Sequence, residues 1–379
     1  MQKNLIFWCP SVGDVGTIKA VLESAKSLSV SKKYKCKIFN AYGEFDKYSS
    51  LLKKNKIQEI KLIKSSIIKS LPKEGYFWSR LNYVLVFLFS FLPLLFYLKK
   101  NKNDYLFIYL ITSLPLLLVS IFNLNNQIIF RVSGKIRFTI LRKLIFHISK
   151  KKIKKILIQT LESKNRILKK NIFDGKILNL IRDPIIDHKK IDILKKEKIE
   201  NKFLKNKYFV SIGRLTHQKN FLFLVKCLKK IIKKEKNFNF LILGEGKDRN
   251  KIERYIQKFN LSKYVSLPGY KKNIFKYINH SEGLICSSLW EEPGFVIQEA
   301  AACKKIILTS NCYTGPAEFL DYGKNGYVFE NNNEKSFIKN FHKLLTNKNK
   351  HQNKIIKNYQ KTKYYTPKFF LSEINKILQ

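Results

Sequence analysis

Residues 288–305 read SLWEEPGFVIQEAAACKK, and they indicate how this part of the chain folds. The apolar residues just before them, GLIC, have the length and composition of a buried strand, whereas FVIQEAAACKK is typical of a helix. Pro293 and Gly294 form the corner between the two. A strand, a loop and a helix in this order predict one unit of a parallel sheet that is covered by helices.

Two acidic side chains flank this corner, Glu291 in the loop and Glu299 in the helix. The first turn of such a helix presents free backbone N–H groups and the positive end of its dipole, which favour an anion. Carboxylates would repel a phosphate but would accept hydrogen bonds from hydroxyl groups. The stretch therefore suits a ligand with both phosphate and hydroxyls, as on a ribose and a hexose. Two solvated glutamates are the alternative, since E-x7-E occurs often by chance.

The same alternation of short apolar strands and helical segments extends through the whole chain. NLIFWC near the amino terminus leads into a glycine loop and a helix, and YFVSIG starts a second series of the same kind. We therefore predict an α/β protein with two doubly wound, Rossmann-like domains facing a central cleft. The predicted parts are an amino-terminal domain, an interdomain connection, a carboxyl-terminal domain and a last helix that packs back toward the amino-terminal domain, at 1–187, 188–207, 208–360 and 361–379.

The chain has 379 residues and a formal net charge of +47 at pH 7, so a polyanionic partner has to be considered. Its lysines are spread over the whole sequence, and neither a zinc finger nor an aromatic RNA-binding motif is present, so no specific nucleic acid is expected. Six cysteines without a C-x-x-C pair indicate buried thiols in a reducing compartment. Since MQKNLIFWCP does not read as a secretory signal, we expect a cytoplasmic protein.

A loop with phosphate-binding chemistry follows the strand YFVSIG. It starts at Gly213 and carries Arg214 and Lys219. Glycine permits close approach of the backbone, arginine offers a planar fork of donors, and lysine adds a point charge. In a chain so rich in lysine, a basic loop without a ligand is the alternative.

Six segments in the second half resemble the carboxyl-terminal domain of the retaining glycosyltransferases of family four, which have the GT-B fold. They are GRLTHQK, LGEG, PGY, SSLWEEPGFVIQEAA, TSNCYTGPAEFL and GKNGYVF, within residues 208–330. The variant SLWEEPGFVIQEAA followed by GPAEFL is similar to bacterial enzymes that build lipopolysaccharide or other surface polysaccharide. The amino-terminal half resembles the family in its first glycine loop, in LITSLPLLL and in FRVSGKIRF. The resemblance implies transfer of a sugar, with retention, from a nucleotide-sugar donor, with UDP favoured, to a glycan or lipid-linked acceptor.

The resemblance also implies roles for individual residues. Arg214 and Lys219 would bind the donor diphosphate and stabilise charge on the leaving nucleotide, so that neither a metal ion nor another cofactor is expected. Glu291 would contact the transferred sugar near the reacting carbon, which makes it the third predicted catalytic residue. Glu299 would hold the ribose. Glycine loops and the helix start would approach the donor at Gly13, Gly16, Gly213, Gly294, Phe295 and Val296.

The sequence departs from the family at the end of one amino-terminal strand. Many members carry a histidine there, near the sugar, whereas IIFRVSG has Arg131, Val132 and Ser133. Neither His147 nor His217 is placed for that role. Arg131 and Ser133 are therefore the candidates on the acceptor side.

Two long apolar runs raise the question of a membrane. Residues 81–98 and 106–124 contain no charged residue, and each approaches the roughly 20 residues that span a bilayer. Pro93 and Pro115 interrupt the runs, and Asp104 with the residues after it is typical of a buried strand with an acidic lead-in. We therefore favour a buried or membrane-apposed helix–strand–helix over a spanning hairpin. Basic clusters beside the runs suit an anionic surface, which predicts peripheral contact with the cytoplasmic face of the inner membrane.

Other functions stay open on the sequence alone. The apolar runs would also fit a membrane-anchored protein without catalytic activity. A nucleotide-sugar epimerase or a sugar phosphorylase would share the two-domain fold but would need no glycan acceptor.

Overall fold

The computed structural model describes residues 2–11, 16–63, 76–109, 113–132, 136, 138–233 and 235–379. The chain forms two compact units. Unit 1 comprises Met1–Ile185 and Pro367–Gln379, and unit 2 comprises Ile186–Thr366.

Unit 1 alternates strands and helices along the chain, and its last helix comes from the carboxyl terminus. Its elements are β1 Lys3–Trp8, α1 Gly16–Ser29, β2 Tyr34–Asn40, α2 Ser49–Lys54, β3 Gln58–Lys61, α3 Tyr76–Lys100, β4 Tyr105–Ile108, α4 Ser113–Ile121, β5 Gln127–Arg131, α5 Ile140–Ser149, β6 Ile153–Ile158, α6 Leu161–Leu168, β7 Leu178–Leu180 and α15 Pro367–Leu378.

Unit 2 shows the same alternation. Its elements are α7 His188–Leu194, β8 Tyr208–Ile212, α8 Phe221–Ile232, β9 Asn239–Leu243, α9 Arg249–Lys258, β10 Val265–Gly269, α10 Phe275–His280, β11 Gly283–Cys286, α11 Phe295–Ala302, β12 Ile306–Ser310, α12 Pro316–Phe319, β13 Tyr327–Phe329, α13 Glu334–Thr346 and α14 His351–Lys361.

Each unit is built on one parallel sheet. Within the described residues, the strand order is β3-β2-β1-β4-β5-β6-β7 in unit 1 and β10-β9-β8-β11-β12-β13 in unit 2, and the strand pairs are parallel. Both sheets start from a central strand, extend to one side and then cross back to the other, which is the Rossmann order. The prediction of two doubly wound α/β domains is confirmed.

The strand sequences explain why the sheets are covered on both faces. Leu5, Ile6 and Phe7 on β1 are all 0% exposed, so successive side chains on opposite faces both meet packed helices. In unit 2, Leu284 and Ile285 on β11 are buried in the same way. A core on both sides of each sheet leaves the carboxyl ends of the strands as the place for loops with function.

Residues 188–207 are not the interdomain connection that their lysine content suggested. They belong to unit 2, where Ile191 and Ile199 are buried. The Glu200 carboxylate accepts a hydrogen bond from Lys271 Nζ at 2.8 Å. The lysines cover the outer side of a segment whose isoleucines pack inward, and composition alone does not separate this case from a linker.

The last helix, α15, belongs to unit 1 and begins at Pro367, later than the predicted start at residue 361. Phe370 and Ile374 on this helix are buried. The Tyr34 hydroxyl donates a hydrogen bond to Asn375 Oδ1 at 2.7 Å, so the helix is fixed to β2 by a polar contact as well as by packing.

The two apolar runs have different structures. The first forms α3, which continues through Pro93. Its segment Arg80–Lys100 is the one helix among the described residues that is long and apolar enough to cross a membrane. This segment has a mean hydropathy of 2.1, and 33% of its apolar stretch is buried. The second run divides into β4 and α4. Asp104 before β4 is buried and pairs with Lys37 Nζ at 3.3 Å, which confirms the buried strand with an acidic lead-in.

Candidate functional site

The loops after β8 and β11, together with α11, hold most of the predicted site residues. β8 and β11 are neighbours in the middle of the second sheet, where the strand order reverses. Gly213 and Arg214 follow β8 directly, and Glu291 lies between β11 and α11. In open α/β sheets this reversal is the usual place for a ligand, because the two loops leave the sheet in opposite directions and open a crevice.

An ion pair joins these two loops. The Lys219 ammonium donates a hydrogen bond to Glu291 Oε1, and the Ser288 hydroxyl donates to the same oxygen at 2.6 Å. The side chains of Lys219 and Glu291 are only 16% and 7% exposed. The pair is therefore held in place largely out of water, where charge interactions are strong.

The surroundings keep this lysine charged. Burial lowers the pKa of Lys219, but the neighbouring Glu291 carboxylate outweighs burial, and the net pKa lies above its ordinary value. Burial, followed by the Glu291 charge, raises the pKa of the Cys286 thiol. Burial likewise raises the pKa of Cys312. Both thiols thus stay neutral near pH 7, and Glu291 is the anion that balances Lys219.

Gly213 leaves room for the path of the lysine side chain. A Cβ atom at this position would lie 2.9 Å from Lys219 Cε and 3.0 Å from its Cδ. The aliphatic part of Lys219 therefore passes directly over Gly213. Glycine after β8 lets the ammonium reach the loop that follows β11.

Backbone and side-chain hydrogen bonds hold the two loops together. The Leu289 N–H donates to Gln218 O at 2.8 Å, and Gln218 Nε2 donates to Trp290 O at 3.0 Å. The Ser287 hydroxyl donates to Lys219 O at 2.9 Å. These contacts place the Lys219–Glu291 pair without any ligand.

The start of α11 lies next to this pair. Gly294 is its N-cap with φ +80°, a left-handed conformation that favours glycine, and an added Cβ would lie 3.3 Å from Glu291 Cβ and Cγ. No side chain caps the helix, so its first N–H groups are not used by a capping residue. The helix begins at Phe295, and Pro293 precedes the cap.

The other predicted residues of unit 2 lie on the same elements. Arg214 is exposed, and its guanidinium forms no ion pair with any residue that the structure describes. Glu299 is 5% exposed and lies in the second turn of α11. Val296 is buried and Phe295 half-buried. The structure thus links Gly213, Lys219, Glu291 and Gly294 by direct contacts, and places Arg214 and Glu299 on the adjoining loop and helix.

Two further residues support Glu291 and were missed in the sequence. Ser288 contacts its carboxylate, and the Thr314 hydroxyl donates a hydrogen bond to its backbone oxygen. The position of Ser288, three residues before Glu291 in one loop, was a usable signal. Thr314 comes from the loop after β12, and nothing local to Glu291 indicated it.

Arg131 in unit 1 does not form an open acceptor-side surface. It is the last residue of β5 and is 2% exposed. Its Nε donates to Asp183 Oδ1 at 3.1 Å, and its Nη2 donates to Asp183 Oδ2. The guanidinium carbon also lies 5.6 Å from the centre of the Tyr109 ring. A bidentate ion pair with Asp183 thus occupies the guanidinium inside the unit, and a role of Arg131 on the acceptor side stays a prediction.

The other predicted site residues of the first half are only partly described by the structure. Gly16 is exposed at the first residue of α1. Gly13 and Ser133 lie outside the described residues. Within the described ranges, no group of three or more His, Cys, Asp and Glu side chains is placed to hold a metal ion, and all six cysteines are free and buried.

A family model matches the part of the chain that carries this site. Residues 192–362 match the family "Glycosyl transferases group 1". This part of the chain is therefore similar to the group 1 glycosyltransferases. The match covers unit 2 almost completely and includes Arg214, Lys219, Glu291 and Glu299.

Curated relatives match about half of the chain. An uncharacterized glycosyltransferase of Methanocaldococcus jannaschii is 35% identical over 169 residues, which are 44% of this chain and 41% of that protein. The N-acetylgalactosamine-N,N'-diacetylbacillosaminyl-diphospho-undecaprenol 4-alpha-N-acetylgalactosaminyltransferase of Campylobacter jejuni is 26% identical over 202 residues, 51% of this chain and 54% of that protein. The chain thus matches about half the length of these relatives.

Solved structures resemble the whole chain in fold. A glycosyltransferase from Rickettsia africae has a TM-score of 0.78 at 17% identity and covers 100% of this chain and 99% of its own. Anabaena HepE in complex with UDP-glucose has a TM-score of 0.74 at 13% identity and covers 99% of both chains. The predicted GT-B fold is therefore confirmed.

Proposed function

We propose that the protein is a retaining glycosyltransferase that uses a nucleotide-sugar donor, with UDP as the nucleotide. The observation that carries the proposal is the Lys219–Glu291 pair beside the uncapped start of α11, at the reversal of the second sheet. The match of residues 192–362 to the model of the group 1 family supports it. Anabaena HepE, which shares the fold and was solved with UDP-glucose, supports the choice of UDP.

The charges divide the work between the two cations. Lys219 is already neutralised by Glu291, whereas Arg214 is exposed with no acidic partner among the described residues. The net positive charge for a donor diphosphate thus comes from Arg214, whose planar fork suits phosphate oxygens. Lys219 contributes when negative charge develops on the leaving nucleotide, because a preorganised cation then needs no rearrangement.

The carboxylates would hold the rings of the donor. Glu291, fixed by Lys219, Ser288 and the Thr314 contact, can accept a hydrogen bond from a hydroxyl of the transferred sugar. Glu299, farther along α11, would accept from the ribose. The protein would thus position the donor and stabilise charge without covalent chemistry, and we propose that it does so without a metal ion.

The acceptor is proposed to be a glycan or a lipid-linked glycan of surface polysaccharide or lipopolysaccharide synthesis. The Campylobacter jejuni relative is named for a diphospho-undecaprenol-linked substrate. Unit 1 carries exposed apolar and basic residues on the same helices, which supports work at the cytoplasmic face of a membrane.

A thermal-shift panel tests the donor directly. The protein is heated with UDP, UDP-glucose, UDP-N-acetylglucosamine, UDP-N-acetylgalactosamine, GDP-mannose and ADP, with and without EDTA. A ligand at 100 times its Kd stabilises the folded state by about 2.7 kcal/mol, so UDP ligands should raise Tm, with or without EDTA, in the native protein and by a smaller amount in Arg214→Ala. No rise with any nucleotide would refute the proposal.

Turnover then separates the enzyme classes. With the stabilising donor and a lipid-linked glycan extract, NMR of the product should show the anomeric configuration of the donor. Conversion of the nucleotide sugar without acceptor would indicate an epimerase. Dependence on inorganic phosphate would indicate a phosphorylase.

A further inference from the structure

Unit 1 contains a cavity of about 530 Å³, within the roughly 300–1,000 Å³ range of small-molecule sites. Polar groups are few in its lining, and its inner wall is buried and apolar. The inner wall consists of Trp8, Val86, Leu114, Leu116, Ile145 and Phe146.

The cavity lies at the carboxyl ends of the central strands of the first sheet. Trp8 is the last residue of β1, and Pro10 follows it; Ser113 starts α4 after β4, and Thr139 caps α5 after β5. β1 and β4 are neighbours where the strand order reverses. This is the position at which an open α/β sheet takes a ligand.

The rim of the cavity continues into exposed apolar helix faces. Val84 on α3 and Leu141 on α5 line the cavity and are 54% and 67% exposed. Leu88, Leu92 and Phe96 follow Val84 at four-residue intervals and are 61%, 56% and 63% exposed. Residues four apart share one side of a helix, so an apolar strip leads outward from the cavity along α3.

The opposite side of α3 packs against its own unit. Asn82, Val86, Ser90, Leu94 and Leu98, again four apart, are at most 2% exposed. A helix held along its whole length in this way presents one strip and not its full circumference. The strip is therefore suited to lie on an apolar surface and not to cross a bilayer.

The same part of the chain is cationic. Between Glu74 and Glu162 the one acidic residue of the sequence is Asp104, and it is buried against Lys37. Arg142 lines the cavity beside Leu141. Exposed lysines of α3, α5 and their ends are Lys99, Lys100, Lys143, Lys150 and Lys151.

We propose that this cavity binds the hydrocarbon chain of a phosphate-bearing lipid, the acceptor of the proposed sugar transfer, with Arg142 next to the phosphate. That this lipid is the acceptor rests on the proposed function. The lipid leaves its membrane along the apolar strip of α3, and the lysines attract the anionic leaflet.

Other occupants fit less well. A soluble glycan would lose water from its hydroxyls against a wall with few polar partners, which is unfavourable. A second copy of the chain would bring another cationic face of the same composition, and like charges repel. A lipid phosphate supplies both the apolar chain and the opposite charge.

Binding of single-chain probes tests the cavity. Calorimetry below the micelle concentration would compare farnesyl diphosphate, oleoyl lysophosphatidic acid, farnesol and inorganic diphosphate. We expect both anionic chains to bind, farnesol to bind more weakly, and diphosphate alone not to bind at this site. The preferred anionic chain tells a polyprenyl lipid from a glycerolipid. Equal binding of diphosphate and farnesyl diphosphate would overturn the proposal.

Rim variants provide matched controls. Val84→Trp and Leu141→Trp should narrow the entrance and reduce probe affinity at least tenfold, whereas Leu144→Trp and Ile148→Trp, on α5 but outside both the cavity lining and the α3 strip, should not. All four positions are exposed, so folding should survive. Arg142→Met should weaken the binding of farnesyl diphosphate and leave the binding of farnesol unchanged. Lys143→Met is the control for this variant.

The outcomes separate this proposal from the proposed function. The nucleotide thermal shift is measured on the same preparations and should be equal in all rim variants. If the probes bind but no nucleotide raises Tm, the proposed glycosyltransferase function is refuted and the lipid site still stands. If nucleotides raise Tm but the rim and control variants bind the probes with equal affinity, the lipid site alone is refuted. A dimer that only the rim variants dissociate would identify a second copy as the occupant and overturn the proposal.

Discussion

The Lys219 ammonium group and the Glu291 carboxylate form a hydrogen-bonded ion pair, although 72 positions separate them in the sequence. Lys219 comes from the loop after β8 and Glu291 from the loop after β11. The pair therefore reports that two neighbouring strands have brought their carboxyl ends together. It also neutralises one of the two cations on which donor binding was predicted to depend.

Replacing Lys219 should affect both stability and turnover. Lys219→Met leaves the Glu291 carboxylate buried without its cation, which costs about 3 kcal/mol in comparable pairs, and removes a stabilising charge that is typically worth 100-fold or more in kcat. Urea unfolding and donor turnover measure the two effects. Lys230→Met is the matched control, since Lys230 and Glu334 form an exposed pair; it should leave Tm and turnover unchanged. Normal turnover in Lys219→Met would contradict a role for the lysine.

Arg214→Ala should weaken UDP binding without destabilising the apo protein. The side chain is exposed and has no acidic partner within the described ranges, so the fold loses little. A charge-assisted hydrogen bond contributes about 1.5–3 kcal/mol, which corresponds to a roughly 10- to 100-fold rise in Kd by calorimetry. Arg249→Ala is the control, because that guanidinium is engaged with Glu245 and Glu253. If both variants bind UDP alike, Arg214 is not at the diphosphate.

Glu291 and Glu299 should separate in their kinetics. Glu291→Gln removes the anion next to Lys219 and frees the ammonium, so UDP affinity should be equal or tighter while kcat falls. Glu299→Ala should weaken UDP affinity, because a ribose hydroxyl loses its acceptor. Calorimetry with UDP and steady-state turnover decide the matter; the same change of Kd and kcat in both variants would argue against distinct roles.

Asp183→Asn should destabilise unit 1 strongly. The Arg131 guanidinium is buried and pairs with both Asp183 oxygens, and loss of one buried partner costs about 3–5 kcal/mol. Urea unfolding of the variant is compared with Asp192→Asn, whose exposed pair with Lys195 should contribute little. A stable Asp183→Asn protein would show that the ion pair is dispensable for folding.

The ion pair of Glu200 should make a pH-dependent contribution to the free energy of unfolding. Burial raises the pKa of Glu200, but Lys271 and the Tyr277 hydroxyl outweigh it and lower the pKa to about 2. The folded-state pKa is depressed, so the stabilisation is present above the unfolded value near 4.5 and is lost as pH falls toward 2. The side chain is 40% exposed, so the contribution is small, at most about 1 kcal/mol.

Urea unfolding at pH 7, 5.5 and 4 measures this contribution. The stability gap between the native protein and Glu200→Gln should narrow as pH falls below about 4.5. Glu373→Gln, in an exposed pair with Lys376, is the control. A gap that stays constant with pH would mean that the ion pair with Lys271 does not stabilise the segment.

Short-range patterns were enough for the architecture. The alternation of apolar strands with helical segments predicted both sheets, and the Glu291 loop was correctly placed before α11. The pattern was insufficient where the residue composition is typical of a structure other than the one that forms. Lysines on the outside of 188–207 concealed two buried isoleucines, and Pro93 did not end α3.

The sequence by itself determined the order of strands, loops and helices, because side-chain periodicity and turn residues act over a few positions. It also determined which loops carry basic, acidic and glycine residues. Only the tertiary structure decided the partners: Arg131 with Asp183, Lys219 with Glu291, and Val84 with Leu141 at one cavity. The physical reason is that ion pairing and burial depend on which strands and helices are neighbours, and that neighbourhood is set by packing of the whole unit.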